Sequence, residues 1–306
     1  MKLFLKKILL LTLVCAVLAV ASNWLFASVK GGTIPTNIDR FLDAPERIDV
    51  ANLGNSHGQG AFKYGGHPEL SCANFANGSQ SLPQDACLLE YYIDRFTDKS
   101  VLYISVTYPS LLNSATERSD FLTLNRRYYY VLPPDLILNF SWREWISVKV
   151  PGLFIPSWRA ENWRRDEFVD LGEQTADAID VQADAEGAVE RHILKHEKNG
   201  TYELNPDMIA SLEQMVSLCK EHSVTPILIT TPFLREYNDL VPAAFLSVQR
   251  SFLNNFAQEH QIEYLDFSQD VRFQDRYDLF FNSDHLNDTG GLYFTGLLLD
   301  GETPVF

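Results

Sequence analysis

Short apolar runs and helical periodicities alternate along most of this chain. Runs rich in aliphatic and β-branched residues predict buried strands at residues 47–54, 70–76, 101–108, 224–231 and 262–267. Apolar residues at helical spacing predict helices at residues 81–96, 205–221, 242–259 and from 289 onward. This alternation predicts an α/β domain built on a parallel sheet.

The N-terminal segment has a different pattern. Residues 8–29 carry no charged side chain, and Lys2, Lys6 and Lys7 precede them. Twenty-two residues of helix at about 1.5 Å per residue are long enough to cross a hydrocarbon core of ~30 Å. The lysines predict a cytoplasmic N-terminus and an exported body. Because residues 19–21 read Ala-Val-Ala, a cleaved signal peptide is the alternative to an uncleaved anchor.

The predicted organisation is therefore an anchor or signal at 1–30 and an α/β domain at 31–306. Residues 110–199 break the alternation and are expected to form an insertion in that domain. Four of the five tryptophans lie there within 22 residues, interleaved with arginines: Trp142, Arg143, Trp145, Trp158, Arg159, Trp163, Arg164 and Arg165. A packed helical cap, a face on the membrane surface and a carbohydrate-stacking platform all fit this composition.

Charge and cysteine content narrow the possible partners. A formal net charge of −15 argues against a nucleic acid, which needs a basic footprint. Cys72 and Cys87 could pair in an oxidising compartment, and Cys219 is expected to be a buried thiol. Neither a zinc-ligand spacing nor a motif for an organic cofactor is present in the sequence, so no cofactor is expected.

Two short motifs at opposite ends of the chain suggest acyl chemistry. Ser56 follows the first predicted strand in a turn that begins Gly54-Asn55, and His285 precedes the last predicted helix. A parallel sheet gathers the loops at the carboxyl ends of its strands, so the two residues can meet. A serine hydroxyl becomes a good nucleophile when an adjacent base accepts its proton. We therefore expect Ser56 to be a nucleophile and His285 its general base.

These motifs resemble blocks I and V of the SGNH hydrolase superfamily, on Gly54-Asn55-Ser56 and on the segment from Asn282 to His285. The resemblance is closest to an exported bacterial branch that includes alginate-type O-acetyltransferases and D-alanyl transfer proteins of teichoic acid assembly. It implies a flavodoxin-like, three-layer parallel sheet. It also implies acyl transfer or ester hydrolysis on a glycan or another surface ester.

The chain departs from the superfamily pattern at the residue that orients the histidine. Asn55 replaces the usual aspartate of block I, and Asn282 replaces the aspartate three residues before the histidine. Asp284 is the nearest acid, but adjacent side chains are poorly aimed at each other. A triad through Asp284, a Ser-His dyad oriented by Asn282, and an acid from elsewhere all stay open.

The predicted oxyanion hole has one clear donor and one open position. The backbone N–H at the Ser56 turn is the first, and Asn77 or Gly78, in the place of block II, is a candidate for the second. A plain polar turn is the alternative for that segment. His57 is expected to have a structural or substrate-contact role. His192 and His196 are expected on one solvated helix face.

The leading hypothesis is an extracytoplasmic serine acyltransferase or esterase acting on a cell-envelope polysaccharide. A membrane protein that delivers the acyl group is a possible partner. The first alternative is a non-catalytic protein of the same fold that binds or scaffolds in polysaccharide assembly. A purely structural membrane-assembly partner, working through the tryptophan-rich insertion, is the second.

Overall fold

The computed structural model describes residues 1–30, 38–112, 121–153 and 172–306. The chain divides into two compact units. The helical unit comprises Met1–Leu42 and Asn125–Val169, and the sheet unit comprises Asp43–Leu124 and Asp170–Phe306.

The sheet unit is built on five parallel strands. They are β1 (Ile48–Leu53), β2 (Cys72–Asn74), β3 (Phe96–Ser105), β4 (Thr225–Thr230) and β5 (Glu263–Asp266). Their order across the sheet is β2-β1-β3-β4-β5, and every neighbouring pair is parallel. This is the flavodoxin-like order 2-1-3-4-5, so the predicted fold class is confirmed.

The described helices of the chain fall into long ones that flank the sheet or form the N-terminus and short ones in the loops. In chain order they are α1 (Lys2–Lys30), α2 (Asp39–Leu42), α3 (Ser56–Ala61), α4 (Leu82–Tyr92), α5 (Phe121–Asn125), α6 (Trp142–Lys149), α7 (Val181–His192), α8 (Pro206–Glu221), α9 (Arg235–Leu240), α10 (Ala243–His260) and α11 (Asp288–Leu299).

The strand order fixes the face of the sheet on which the crossover helices lie. Right-handed crossovers put the β1–β2 connection on one face and the later connections on the other. The packing agrees: α3 contacts α11, and α4 contacts α8. On the first face, Thr295 of α11 accepts from the backbone N–H of Lys63 at 2.9 Å and donates to the carbonyl of Ala61 at 3.1 Å.

The capped helices begin where the sequence predicts. Asn205 accepts from the backbone N–H of Asp207 at 2.9 Å and starts α8, which ends at Glu221 as expected. Ser81 and Gln84 form a capping box at the start of α4. The predicted continuation of α4 to residue 96 is wrong, because the helix ends at Tyr92 and Phe96 already belongs to β3.

Phenylalanines fill the core beneath α11. Phe267, Phe273, Phe280 and Phe294 are fully buried there, and the rings of Phe267 and Phe294 meet edge to face at 5.1 Å. The loop before α11 (residues 280–287) is called the C-terminal loop. This core packs the segment that leads into that loop against the sheet.

Cys72 lies on β2 and Cys87 on α4, and both are free thiols that are partly buried. The suggested disulfide is therefore not formed. Burial raises the pKa of each thiol to about 11. Cys219 is buried and free, as expected.

The helical unit contains α1 and the tryptophan-bearing helix α6. Residues Lys2–Phe26 of α1 are long and apolar enough to cross a membrane. Trp142, Arg143 and Trp145 lie on α6, whereas the rest of the tryptophan- and arginine-rich set lies outside the described residues: Trp158, Arg159, Trp163, Arg164 and Arg165.

Candidate active site

A tight turn after β1 presents Ser56. We call this turn (residues 54–56) the nucleophile turn, after the predicted role of Ser56. Gly54 has φ +137°, a conformation that other residues rarely adopt, and a Cβ there would lie 2.7 Å from the Cβ of Ser105. Asn55 caps α3 by accepting from the backbone N–H of His57 at 3.0 Å. Ser56 therefore becomes the first residue of α3, and its backbone N–H has no acceptor within the helix.

The structure brings Ser56 and His285 together across 229 positions of sequence. His285 Nε2 lies 2.8 Å from Ser56 Oγ. Ser56 is 8% exposed, so the hydroxyl is nearly enclosed. This is the distance at which a neutral imidazole can accept the proton of an attacking hydroxyl.

Asp284 and Asn282 both contact the other nitrogen of His285. Asp284 Oδ1 lies 2.7 Å and Asn282 Oδ1 lies 3.1 Å from Nδ1. With Nδ1–H donating to this pair, Nε2 is left to accept from Ser56. The expectation that Asp284 is poorly aimed is wrong. The backbone N–H of Phe281 donates to the carbonyl of His285 at 2.8 Å, and this turn brings the neighbouring side chains together.

Asp284 carries a buried negative charge. Burial opposes that charge, but the charges and hydrogen bonds of His285 and His57 together lower the pKa of the carboxyl well below its usual value. Asp284 is therefore ionised at neutral pH. A carboxylate in this position can orient His285 and stabilise its imidazolium form.

His57 is the second histidine on the same carboxylate. Its Nε2 lies 3.0 Å from Asp284 Oδ2, and its ring stacks on that of His285 with centroids 4.2 Å apart and planes 10° apart. Its Nδ1 lies 3.4 Å from Thr107 Oγ1. His57 is 3% exposed, and both of its ring nitrogens contact protein atoms. Of the two expected roles, the structure therefore supports the structural one, through Asp284, and not a contact with substrate.

The environment of His57 favours its neutral form. Burial and the neighbouring His285 lower the pKa of His57, against the pull of Asp284. Both ring nitrogens of His57 face an acceptor: Nε2 lies 3.0 Å from Asp284 Oδ2, and Nδ1 lies 3.0 Å from Asn55 Oδ1 as well as 3.4 Å from the Thr107 hydroxyl. The neutral ring carries one proton, and on Nε2 it donates to the Asp284 carboxylate. Thr107 also accepts from the Asn55 side-chain amide at 2.9 Å, which ties the end of β3 to the nucleophile turn.

Helix α7 supports the C-terminal loop at two points that the sequence reasoning missed. Asp184 accepts from the backbone N–H of Ser283 at 3.0 Å and from its hydroxyl at 2.5 Å. His192 Nδ1 lies 3.6 Å from Asp284 Oδ2 and 3.4 Å from the hydroxyl of Tyr237. The signal that the sequence offered is that Asp184 and His192 lie on one amphipathic helix. Their spacing does not indicate which residues they contact.

The prediction that His192 and His196 share a solvated helix face is wrong. Helix α7 ends at His192, and His196 belongs to a separate 3₁₀ turn, Leu194–His196. His192 faces Asp284, and burial lowers the pKa of His192 to about 4.

The candidates for the second oxyanion donor lie beside the nucleophile turn. Asn77 is fully buried, and its backbone N–H donates to the carbonyl of Gly54 at 3.0 Å. The N–H of Gly78 donates to Gln59 Oε1 at 2.9 Å, so it is already used within the protein. Of the two residues only Asn77 also carries a side-chain amide, which stays a candidate donor.

A buried acid lies beneath the same turn. Asp85 Oδ1 accepts from the backbone N–H of Gly54 at 3.0 Å and from the Gln80 side chain at 2.6 Å. Burial raises the pKa of Asp85 to about 7, against the effect of these hydrogen bonds. The sequence places Asp85 in the first turn of a helix, where an acid is common, and so gives no sign of this role.

One group of potential metal ligands converges within the described part of the chain. The donor atoms of His57, Asp284 and His285 lie within 4.8 Å of one another. The same atoms are joined by hydrogen bonds of 3.0 and 2.7 Å, which were described above. As it stands, the group is arranged for proton transfer between Ser56 and His285.

No protein-family model and no curated protein matches the chain. Solved structures similar to it include a proposed acylhydrolase from Bacteroides fragilis NCTC 9343, with 13% identity over 87% of this chain and 93% of that one and a TM-score of 0.40. Another is a GDSL-like lipase from Bacteroides thetaiotaomicron VPI-5482, with 11% identity over 87% and 96% of the two chains and a TM-score of 0.39. These scores are too low to transfer an activity to this chain.

Proposed function

We propose that this protein is an SGNH-type serine acyl-transfer enzyme. The observation that carries the proposal is the continuous set of contacts from Ser56 Oγ to His285 Nε2 at 2.8 Å and from His285 Nδ1 to Asp284 Oδ1 at 2.7 Å. A nucleophile, a base and an orienting carboxylate in this order are the arrangement that activates a serine hydroxyl.

The proposed reaction has two stages. Ser56 Oγ attacks the carbonyl carbon of an ester or thioester while His285 Nε2 takes the hydroxyl proton. The tetrahedral intermediate collapses, the bond from carbon to the leaving oxygen or sulfur breaks, and His285 returns the proton to that atom. Water or a sugar hydroxyl then attacks the acyl-enzyme with His285 again as base, and Ser56 is regenerated.

The surrounding residues have separate tasks in this proposal. Asp284 orients His285 and balances the positive charge that His285 gains. The N–H of Ser56 and the side-chain amide of Asn77 are the proposed oxyanion donors. His57 is a positioning residue, since its hydrogen bond holds the second oxygen of Asp284 and its ring lies against that of His285.

The proposed location is outside the cytoplasm, with α1 as the membrane anchor. The support is the distribution of charge: Lys2, Lys6 and Lys7 lie before the apolar span, which favours a cytoplasmic N-terminus. An exported body makes an ester of a cell-envelope polysaccharide the proposed substrate. A membrane protein that supplies the acyl group is the proposed partner for the transferase form of the reaction.

Hydrolysis of p-nitrophenyl acetate by the detergent-solubilised full chain tests the catalytic proposal. Ser56→Ala and His285→Ala should each lower kcat/KM by about 10³-fold or more, because either loss removes the activated nucleophile. Ser217→Ala is the matched control, as Ser217 is an exposed serine on α8, and it should leave the rate unchanged.

A rate that does not respond to Ser56→Ala would contradict the proposal and favour the non-catalytic binding role. Hydrolase and transferase are separated by their products. A polyol acceptor competes with water for the acyl-enzyme, so adding it should yield acetylated acceptor and correspondingly less free acetate if the enzyme is a transferase.

A further inference from the structure

Helix α6 of the helical unit exposes an unusual face. Trp142 is 66% exposed and Ile146 is 39% exposed, and Lys149 is also exposed on the same side of the helix at spacings of four and seven residues. Ser147 and Val148, on the other side, are buried. A helix that buries one face and still exposes a tryptophan and an isoleucine has a second apolar contact surface.

The residues just after α6 pack closely against the end of α1. The hydroxyl of Ser22 donates to the carbonyl of Gly152, and the N–H of Gly152 lies 3.4 Å from Asn23 Oδ1. A Cβ on Gly152 would lie 2.3 Å from the carbonyl oxygen of Ser22, so only glycine allows the two backbones to approach in this way.

This contact has a definite depth if α1 crosses a membrane. The charge-free residues 8–29 span ~33 Å at 1.5 Å per residue, close to the ~30 Å of a hydrocarbon core. Ser22 and Asn23 lie about 10 Å along the helix from the outer end of this segment, and therefore a short distance below the headgroup boundary. Since Lys149 is three residues from Gly152, the end of α6 lies close to the same level.

The exposed side chains of α6 are those that favour this boundary. Tryptophan concentrates at membrane interfaces, and lysine and arginine place an aliphatic stem among acyl chains and a charge among headgroups. Arg143 is exposed beside Trp142. The one acid of α6, Glu144, lies 2.7 Å from Arg126, so it does not leave an unpaired negative charge next to this surface.

We propose that this interfacial face (Trp142, Arg143, Ile146 and Lys149) lies in the headgroup layer of the membrane crossed by α1, with its apolar side chains among the outer ends of the acyl chains. The inference depends on the location given under Proposed function, and it does not depend on the catalytic proposal. The occupant is a lipid surface that contains anionic headgroups.

Quenching of tryptophan emission by brominated lipids tests the inference on the full chain. The protein is reconstituted into vesicles of phosphatidylcholine and phosphatidylglycerol, with or without bromine on the acyl chains, as wild type and as Trp142→Phe. The difference between the two spectra isolates Trp142, because the other tryptophans cancel. We expect blue-shifted Trp142 emission that brominated acyl chains quench and that aqueous acrylamide quenches weakly.

Trp24→Phe is the matched control, because Trp24 is 68% exposed and lies within the span itself. Emission from Trp24 that brominated lipid does not quench would contradict the membrane location. If Trp24 is quenched but Trp142 responds only to acrylamide, the face is in water and the inference is wrong. If Trp142 responds to neither quencher, another protein surface covers the face, and the inference is also wrong.

Discussion

Asp284 accepts hydrogen bonds from two histidines at once, and this sharing affects the base. One oxygen faces His285 and the other faces His57, at 2.7 and 3.0 Å. A donor on the second oxygen withdraws negative charge from the carboxylate. The charge that would stabilise a protonated His285 is therefore smaller than it would be with Asp284 alone. His192 and Tyr237 complete the polar surroundings of this carboxylate.

Two variants of His57 separate its hydrogen bond from its ring. His57→Phe keeps a ring against His285 but removes the hydrogen bond that holds the second oxygen of Asp284. It should lower kcat about 10-fold, because Asp284 is then less well fixed against His285. Steady-state kinetics of ester hydrolysis measure this effect.

His57→Gln supplies the control for a purely structural role. Its side-chain amide can still donate to Asp284, so kcat should recover toward the wild-type value. A lower melting temperature in both variants, with no difference between their kcat values, would show that His57 only supports packing.

At the residue scale the sequence predicted the contact between Ser56 and His285 better than the contacts that support it. Ser56 and His285 each follow a recognisable feature, a strand end and a pre-helical loop. The support depends on loop geometry: Asn282 Oδ1 accepts from the backbone N–H of His285 at 2.9 Å, and this turn aims Asp284 at its neighbour. Such a turn depends on the backbone conformation, which residue types alone do not determine.

At the element scale, α4 is tied to the end of β1 through a buried carboxyl group. Asp85 Oδ1 accepts from the N–H of Gly54, immediately before the nucleophile turn. The pKa of Asp85 is raised by burial to about 7 in the folded protein, whereas an exposed aspartate has a pKa near 3.9. The folded state therefore binds more protons than the unfolded state between these values.

The sign of this difference gives a testable pH dependence. The contribution of Asp85 to stability is fully present below about pH 4 and is lost as the pH rises through about 7, where the buried group must ionise. Asp85→Asn removes the titration and keeps an acceptor for Gly54. At pH 8 the variant should melt at a higher temperature than the wild type, and the gap should narrow toward pH 5. A gap that is independent of pH would contradict the assignment.

The sequence predicted the helix caps and the strands, but it did not predict helix α3, which begins at Ser56. Asn205 and Pro206 predicted the start of α8 correctly. Helix α3 contains Gly58 and Gly60, and glycine is a poor helix former, so local propensity does not predict a helix there. Helix α3 forms there because Asn55 caps it and because its end is bonded to α11 through Thr295. Tertiary packing overrides local propensity at that point.

At the scale of the sheet unit, the strand order explains why the two ends of the sequence meet. The first strand lies beside the central strand, and the turn after it opens at the carboxyl edge of the sheet. Helix α11 packs against α3 on one face, so the loop just before α11 lies next to that turn. The alternation of apolar patterns predicted this class of fold, but the strand order itself required the structure.

The most direct test of the central claim is covalent trapping of the nucleophile. The full chain is treated with a fluorophosphonate, which reacts with activated serines, and the adduct is located by peptide mass spectrometry. We predict a single adduct on Ser56 that is absent from Ser56→Ala, strongly slowed in His285→Ala and unaffected in Ser217→Ala. An adduct on another serine, or no adduct under conditions that label a control serine hydrolase, would contradict the proposed acyl-enzyme mechanism.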